Sequence, residues 1–394
     1  MRRIVGTSAM GIRMPIIKRG DDLVAIIADV FETFVNNHQI EVEEKDIIGV
    51  TESLLARAQG NYVDLDVITE DINEKYDDEI SIVFPILSRN RFVNILKAIA
   101  NSKKKIKIYL SYPADEVGNA LMDAKLLREK GINIYTESLS EKDYIDIFEK
   151  PHLHPFTQVD YVHLYKSMAV NDNIEIIFSN NLQAIAEASS AVLIANIHDE
   201  DYLKTFFKEQ GVSKVYSLRD ILNTPSKDHG YNDDYGLYGS NMASETSLKL
   251  FPRDSLTFVN ELQEEIYKKT GVGIEILVYG DGAFKDPSGR IWELADPVVS
   301  PAYTAGLEGQ PDEIKLKYLA DTEFDNLRGD EAEAALKSKI TQKSQQMTVE
   351  DKLGTTPRNL TDLIGSLCDL VSGSGDKGTP VVYIKGYFDN FSDE

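Results

Sequence analysis

Apolar and polar positions along the chain follow two periods, and together they predict a protein with both helices and strands. Apolar residues recur at helical spacing over 23–34, and Asp22 stands directly before them, where an acid commonly caps a helix. Short apolar runs typical of buried strands lie at 46–50 and 274–278. The run at 46–50 passes directly into a helix that is predicted to begin at Thr51. Such strand-to-helix junctions suit anions, although most of them bind nothing.

The segment 92–225 has a different pattern, in which short apolar strands alternate with amphipathic helices. Strands are predicted at 105–111, 132–135, 174–178, 191–195 and 214–216, and helices at 116–130, 182–188 and 202–210. This alternation is typical of parallel βαβ units, so the segment is predicted to form an α/β domain of its own. Neither Gly-x-Gly-x-x-Gly nor Gly-x-x-x-x-Gly-Lys-Ser/Thr follows any of these strands, which argues against a dinucleotide or P-loop site there.

The C-terminal part of the sequence returns to a less regular mixture of helices and strands. Helices are predicted at 255–270, 312–348 and 359–371, followed by a flexible loop at 372–380 and a strand at 381–386. We therefore predict an α+β fold, in which a discontinuous domain formed by 1–91 and 226–394 surrounds an inserted α/β domain at 92–225.

The composition restricts the possible functions. The 394 residues include 65 acidic and 42 basic side chains, for a formal net charge of −23. This charge repels phosphate backbones and anionic lipid surfaces, so we expect no nucleic-acid and no membrane partner. No apolar run approaches membrane-spanning length and the N-terminus lacks a signal-peptide pattern, so a cytoplasmic protein is expected. The single cysteine, Cys368, lies among leucines and is predicted to be a core thiol.

Two glycine-containing stretches are candidates for binding chemistry. The strand at 274–278 ends shortly before Asp281, which stands between two glycines, and acids just past strand ends often meet metal ions and ligands. An ordinary turn explains the same pattern equally well. The loop at 372–380 combines glycines with Lys377 and suits a phosphate group, although such loops often only connect two elements.

Two further stretches hold candidate ligands. The loop at 234–254 is rich in glycine and short polar side chains, with Glu245 as a candidate acid. The sequence also places His152 and His154 shortly before Asp160 and His163, either of which could complete a metal site. Histidines flanked by prolines are, however, commonly hydrogen-bonded turn residues, and the spacing matches no standard metal-ligand pattern.

Seven stretches form an ordered series that extends from the N-terminal to the C-terminal part of the chain. They lie at 14–23, 51–65, 235–241, 250–254, 279–284, 304–308 and 375–386. The first contains Met14-Pro15-Ile16-Ile17 and Gly20-Asp21-Asp22-Leu23, and the fourth is Leu250-Phe251-Pro252-Arg253-Asp254. In this order they resemble the coenzyme F420:L-glutamate ligase (F420-0:gamma-glutamyl ligase) family, where the corresponding motifs are Leu-Pro-x-Ile, Gly-Asp-Asp-Leu and Leu-Leu-Pro-x-Asp.

The resemblance implies a ligase-like α+β domain that forms an amide between a cofactor-like carboxylic acid and the amine of L-glutamate. It further implies an acyl phosphate intermediate, GTP or ATP as the co-substrate, Mg²⁺ or Mn²⁺ as the metal, and a possible homodimer. By position, Asp281 and Glu245 match metal ligands of the family. The residues that match its nucleotide contacts are Pro15, Ile16, Ile17, Arg57, Gly373, Ser374, Gly375 and Asp376.

The chain departs from the family pattern at several donor positions and at the inserted segment. The family's Thr after the metal-binding Asp is Gly282 here, its Ser-Lys pair is Glu52-Ser53, and its Asn after the other metal-binding acid is Leu248. The segment 92–225 is not found in the usual shorter members, which leaves F420-0, a folate-like acid or another carboxylate open as acceptor. A non-catalytic nucleotide- or metabolite-binding protein is the alternative function.

Overall fold

Strands from both ends of the chain meet in one sheet, while strands from the middle of the chain form another. The computed structural model describes residues 4–116, 118–148, 153–154, 157–280, 285–286, 290–291, 300–346, 359–372, 376–390 and 392. The strands are β1 Ser8–Ile12, β2 Ile47–Thr51, β3 Tyr62–Asp64, β4 Glu79–Val83, β5 Lys105–Leu110, β6 Ser138–Ser140, β7 Ile174–Ser179, β8 Ala191–Ile194, β9 Lys214–Ser217, β10 Asn241–Ser244, β11 Ser247–Lys249, β12 Glu275–Tyr279, β13 Lys285–Asp286, β14 Arg290–Ile291, β15 Ala302–Tyr303 and β16 Val381–Lys385. The helices are α1 Leu23–His38, α2 Glu52–Gln59, α3 Leu65–Lys75, α4 Phe92–Asn101, α5 Ala124–Glu129, α6 Glu141–Phe148, α7 Tyr161–Lys166, α8 Leu182–Glu187, α9 Glu200–Glu209, α10 Ser255–Thr270, α11 Leu316–Asp321, α12 Gly329–Gln346 and α13 Leu360–Ser372.

The sheet that contains both chain ends has five strands in the order β1-β16-β2-β12-β15. β2 and β12 are parallel, with Thr51 opposite Tyr279, whereas β16 runs antiparallel to β2 and to β1. Alternate residues of β2 enter different cores: Ile48 packs with residues of α1 and α10, and Ile47 packs with residues of α13. Helices therefore cover both faces, and the carboxyl ends of β2 and β12 lie side by side at one edge.

The helices of this part agree well with the sequence-based predictions. α1 begins directly after Asp22, whose carboxylate accepts a hydrogen bond from Ala25 N at 3.1 Å. α10 covers the predicted range 255–270, and α13 and β16 lie within one residue of their predicted bounds. No helix in the described part of the chain is long and apolar enough to cross a membrane.

The second large sheet has six strands in the order β6-β7-β5-β4-β8-β9, and all neighbouring pairs are parallel except β6 with β7. The mixture of this sheet with the five-stranded one confirms the predicted α+β class. Five of its strands lie within 92–225, but β4 precedes that range. The division into domains stays a prediction, and β4 favours a first boundary before Glu79 instead of at residue 92.

Two predicted elements of this region are wrong. The helix predicted at 116–130 is limited to α5, because Asp123 caps the helix there with its carboxylate. The strand predicted at 132–135 is not a strand in the described structure. Asn133 N instead donates to Glu137 Oε1 at 2.7 Å, and the Asn133 side chain accepts from a nearby backbone N–H. These local bonds compete with a β-ladder, and the edge of the sheet is formed by β6.

Close packing of α13 on β2 depends on a glycine. A Cβ at Gly49 would overlap Cys368 Sγ and lie 3.4 Å from Leu277 Cδ2. Cys368 is fully buried, and burial raises the pKa of its thiol, as expected for a core residue. We expect Gly49→Ala to lower the free energy of unfolding by about 1–3 kcal/mol, the usual cost of overpacking a core.

Denaturant unfolding followed by circular dichroism measures this effect. Gly6→Ala is the matched control, since no atom lies within 4 Å of a Cβ built there, and it should change stability by less than about 0.5 kcal/mol. A Gly49→Ala variant as stable as the unmodified chain would contradict the described packing.

Candidate functional site

An open cleft of about 750 Å³ lies at the edge of the five-stranded sheet where β2 and β12 end. Four parts of the sequence line most of it: 14–17 after β1, 51–54 at the junction of β2 and α2, Tyr279 with Gly280 at the end of β12, and 378–380 before β16. The volume lies within the range of small-molecule binding sites. Segments that are far apart in sequence are thus brought together at one sheet edge.

The junction of β2 and α2 forms one wall of the cleft. β2 ends at Thr51, and α2 begins at the next residue. The Thr51 side chain caps the helix by accepting a hydrogen bond from Ser53 N at 3.1 Å, and the helix begins one residue after its predicted start. Thr51 N donates to Pro380 O at 3.0 Å, which fixes the helix N-terminus beside the C-terminal segment. The partial positive charge of a helix N-terminus therefore faces the cleft.

The segment after β1 forms the opposite rim. Met14 N donates to Gly378 O at 3.1 Å, so this segment is held against the residues that precede β16. Ile17 is buried, but Ile16 is 81% exposed even though it is a large apolar residue. Ile16 and Pro15 therefore present an apolar rim to the cleft, a surface suited to the flat face of a base or another ring system.

Two basic side chains lie at the α2 wall. Arg57 lines the cleft and is exposed, and it has no ion pair and no side-chain hydrogen bond to any residue that the structure describes. Lys249 extends from β11 and is only 8% exposed. Its ammonium donates to Ser53 Oγ and lies 3.4 Å from Glu52 Oε1. Glu52 is itself 5% exposed, so the two form a buried ion pair directly behind the cleft surface.

Comparison with known protein families adds to this geometry. Residues 11–386 match the family described as F420-0:Gamma-glutamyl ligase, which is nearly the whole chain. The chain belongs to this family. It is therefore an amide-bond-forming ligase, and the match extends across the middle segment with the six-stranded sheet. The comparison with curated proteins found no match.

The structure brings together part of the nucleotide site that the ligase family implies. Pro15, Ile16, Ile17 and Arg57 all line the cleft. Gly373, Ser374 and Gly375 lie outside the described residues, although Ser372 and Gly378 on either side of them line the cleft. Asp376 is exposed and does not line the described cleft. The nucleotide-contacting roles of these residues stay predictions.

The two predicted metal ligands are placed differently. Asp281 lies outside the described residues, but Gly280, the residue before it, lines the cleft. Glu245 lies in the turn between β10 and β11 and is exposed. Its backbone carbonyl accepts a hydrogen bond from Lys97 Nζ at 3.0 Å, and its side chain does not line the cleft. The geometry therefore gives the predicted metal role of Glu245 no support.

The carboxylates of the described cleft do not form a metal site by themselves. Glu52 and Asp369 are the acids among its described lining residues, and Glu52 is ion-paired with Lys249. No group of three or more His, Cys, Asp or Glu side chains suited to a metal ion occurs among the described residues. Metal dependence therefore rests on the family resemblance and on the predicted role of Asp281.

The histidine-containing stretch behaves as hydrogen-bonded turn structure. His154 is buried, its Nε2 lies 3.1 Å from Asn119 Oδ1, and its Nδ1 accepts from Thr157 N at 3.2 Å. Asp160 caps α7 by accepting from His163 N at 3.0 Å. The described residues of this stretch are thus engaged in local structure, and His152 lies outside the described residues.

Lys249 is the site residue that the sequence did not indicate. It stands directly before the family-like stretch 250–254, and nothing in that stretch indicates a role for the lysine. Its role depends on β11 pairing with β3, where Lys249 lies opposite Tyr62, because β3 follows α2 directly. The nearest sequence signal was the unusual acid Glu52 at a position where the ligase family has a serine. A buried acid requires a cation nearby.

Proposed function

We propose that this ligase uses a nucleoside triphosphate, GTP or ATP, to join the carboxylate of a cofactor-like acid to the amine of L-glutamate. The observation that carries the proposal is the cleft itself, in which an apolar rim, a helix N-terminus and Arg57 converge in a chain of net charge −23. An exposed arginine that has no acidic partner among the described residues of so acidic a protein indicates an anionic ligand.

The basic groups of the cleft suit a triphosphate. Arg57 can form paired hydrogen bonds to phosphate oxygens, and the N-terminus of α2 adds partial positive charge. Lys249 lies behind the wall, where it contacts Glu52 and Ser53 and offsets the negative charge of Glu52. In the resembling family a lysine occupies the position of Ser53, so Lys249 brings an ammonium group from a different strand to the place where the α2 sequence lacks one.

The proposed reaction has two steps, formation of an acyl phosphate and then of the amide. In the first, a carboxylate oxygen of the acceptor attacks the γ-phosphorus, and the bond to the nucleoside diphosphate breaks, which gives an acyl phosphate. In the second, the amine nitrogen of L-glutamate attacks the acyl carbon, inorganic phosphate leaves, and the nitrogen loses a proton. The acyl phosphate is sensitive to water, so the rim formed by Pro15 and Ile16 serves to limit solvent access once the substrates are bound.

The proposed reaction also involves a divalent metal ion. Mg²⁺ or Mn²⁺ would neutralise the charge that develops on the phosphoryl oxygens, with Asp281 as the predicted ligand. The acceptor, a homodimeric state and a cytoplasmic location stay predictions.

The proposal is tested by phosphate release from GTP and from ATP in separate assays. The assays contain Mg²⁺ or Mn²⁺, L-glutamate and the small-molecule fraction of a cell extract as the source of acceptor. We expect phosphate release to require both L-glutamate and the extract, and D-glutamate to be a poor replacement. Nucleotide binding without phosphate release under any combination would contradict the proposal and favour a non-catalytic binding protein.

A further inference from the structure

A second cavity of about 540 Å³ opens on the other side of the segment that follows β1. Its lining includes Arg13 and Lys377 on one side, and Phe34 and His38 of α1 on the other. Thr379 lines both this groove and the cleft described above, so the two cavities adjoin at that residue. We call it the Arg13–Lys377 groove.

The groove carries unpaired positive charge. Arg13 and Lys377 are both exposed, and neither forms an ion pair or side-chain hydrogen bond with any described residue. Lys269, on the other side of α1, does have acidic partners, because it lies 2.8 Å from the carboxylates of both Asp29 and Glu32. Acids outnumber bases by 65 to 42 in this chain, so two cations that line one groove and have no acidic partner in the described part of the chain are unusual.

The backbone holds these two cations on adjacent segments. The ladder between β1 and β16 places Ile12 opposite Val381, and the hydrogen bond from Met14 N to Gly378 O extends this contact toward Lys377. Arg13 therefore lies on the segment next to the one that carries Lys377. Two like charges that line the same groove repel each other, and an anionic group bound between them offsets that repulsion.

The opposite wall of the groove is aromatic. The rings of Phe34 and His38 lie one helical turn apart, with their centroids separated by 5.4 Å. Phe34 is half-buried and packs edge-on against Tyr383, with 5.9 Å between the ring centroids. This support keeps the Phe34 ring in place at the groove surface. The groove thus combines a flat, partly apolar wall with a cationic edge, which suits a planar body that carries an acidic group.

We propose that the Arg13–Lys377 groove binds the acceptor substrate, and that Arg13 and Lys377 recognise a carboxylate or phosphate of the acceptor other than the carboxylate that reacts. The reacting carboxylate would then extend past Thr379 into the cleft, where the triphosphate is bound. This inference rests on the proposed ligase reaction, and it defines the acceptor as a molecule with a planar or apolar body and at least one additional acidic group.

Fluorescence titrations with 2-naphthyl phosphate and 2-naphthol test the groove without turnover. The unmodified chain should bind the phosphate at least about tenfold more tightly than the neutral alcohol, in line with one or two charge-assisted hydrogen bonds. In the Arg13→Gln/Lys377→Gln double variant this ratio should fall below about threefold. The double variant Arg128→Gln/Lys130→Gln removes two exposed cations elsewhere and should keep the unmodified ratio.

Titration with GTP or ATP separates this groove from the nucleotide site. The Arg13→Gln/Lys377→Gln variant should bind nucleotide within about twofold of the unmodified chain, whereas Arg57→Gln should weaken nucleotide at least about tenfold and leave the naphthyl phosphate ratio intact. Equal binding of the two naphthyl probes by the unmodified chain overturns the inference. Loss of nucleotide affinity in the groove variant also overturns it, because the groove would then hold nucleotide phosphates. Since all these readouts are equilibrium binding, a failure of the ligase assay alone leaves them unaffected.

Discussion

Lys249→Met will weaken the binding of nucleoside triphosphate by about 30-fold or more, because it removes a positive charge close to the α2 wall and leaves the Glu52 carboxylate there. A loss of this size corresponds to about 2 kcal/mol. Lys249 holds the fixed positive charge behind the α2 wall, where its ammonium contacts Ser53 and Glu52. Without it, Glu52 loses its described ion-pair partner, and its buried carboxylate would repel phosphates bound at the α2 wall. Calorimetric titration with GTP and ATP measures the effect.

The same substitution will also lower stability, so a second variant separates the two consequences. Adding Glu52→Gln to Lys249→Met removes the carboxylate charge as well, and we expect it to restore most of the lost unfolding free energy. If Lys249 acts on the phosphates, nucleotide affinity stays low in the double variant. Full recovery of nucleotide affinity there would show that Lys249 only neutralises Glu52. Lys107→Met, which breaks a partly exposed pair with Glu79 at 3.0 Å in the six-stranded sheet, is the matched control and should leave nucleotide binding unchanged.

Asp281→Asn will lower ligase turnover by about 100-fold or more and weaken Mg²⁺ or Mn²⁺ binding in the presence of nucleotide. The expectation follows from the predicted metal role of Asp281 and from the position of Gly280 at the cleft surface. A metal that neutralises transferring phosphoryl oxygens is worth several kcal/mol, and asparagine is a much weaker ligand than aspartate. Phosphate release and Mn²⁺ titration by electron paramagnetic resonance provide the two measurements.

Glu245→Gln is the companion variant to Asp281→Asn. Because Glu245 is exposed at a turn and does not line the cleft, we expect less than about a threefold change in either measurement. A loss of metal affinity as large as that of Asp281→Asn would reinstate Glu245 as a ligand and contradict the described position of the β10–β11 turn. Full turnover and metal affinity in Asp281→Asn would show that the metal assignment is wrong.

The sequence predicted the elements that are set by local patterns. α1 begins at the residue after its predicted cap, Asp22, α2 begins one residue after its predicted start at Thr51, and α10 has its predicted bounds. These positions are decided by capping side chains and by apolar spacing within one segment. The alternation of strands and helices also predicted the parallel sheet of the middle segment.

Features that depend on tertiary contacts were not predictable in the same way. The apolar run at 132–135 has the composition of a strand, but Asn133 and Glu137 bond the local backbone and no ladder forms there. β4 joins the six-stranded sheet from outside the predicted segment, since strand pairing is not encoded in any one strand. The approach of Lys249 to the wall of α2 requires both the β3–β11 register and the turn after α2.

The most direct test of the account is a mass-spectrometric assay with uniformly ¹³C-labelled L-glutamate. The purified chain is incubated with the labelled amino acid, GTP or ATP, a divalent metal and the small-molecule fraction of a cell extract. The account predicts a new product that carries the labelled glutamyl group on an acidic acceptor, formed together with one nucleoside diphosphate and one phosphate per product. Nucleotide hydrolysis without any labelled conjugate, or no nucleotide turnover at all, would contradict it.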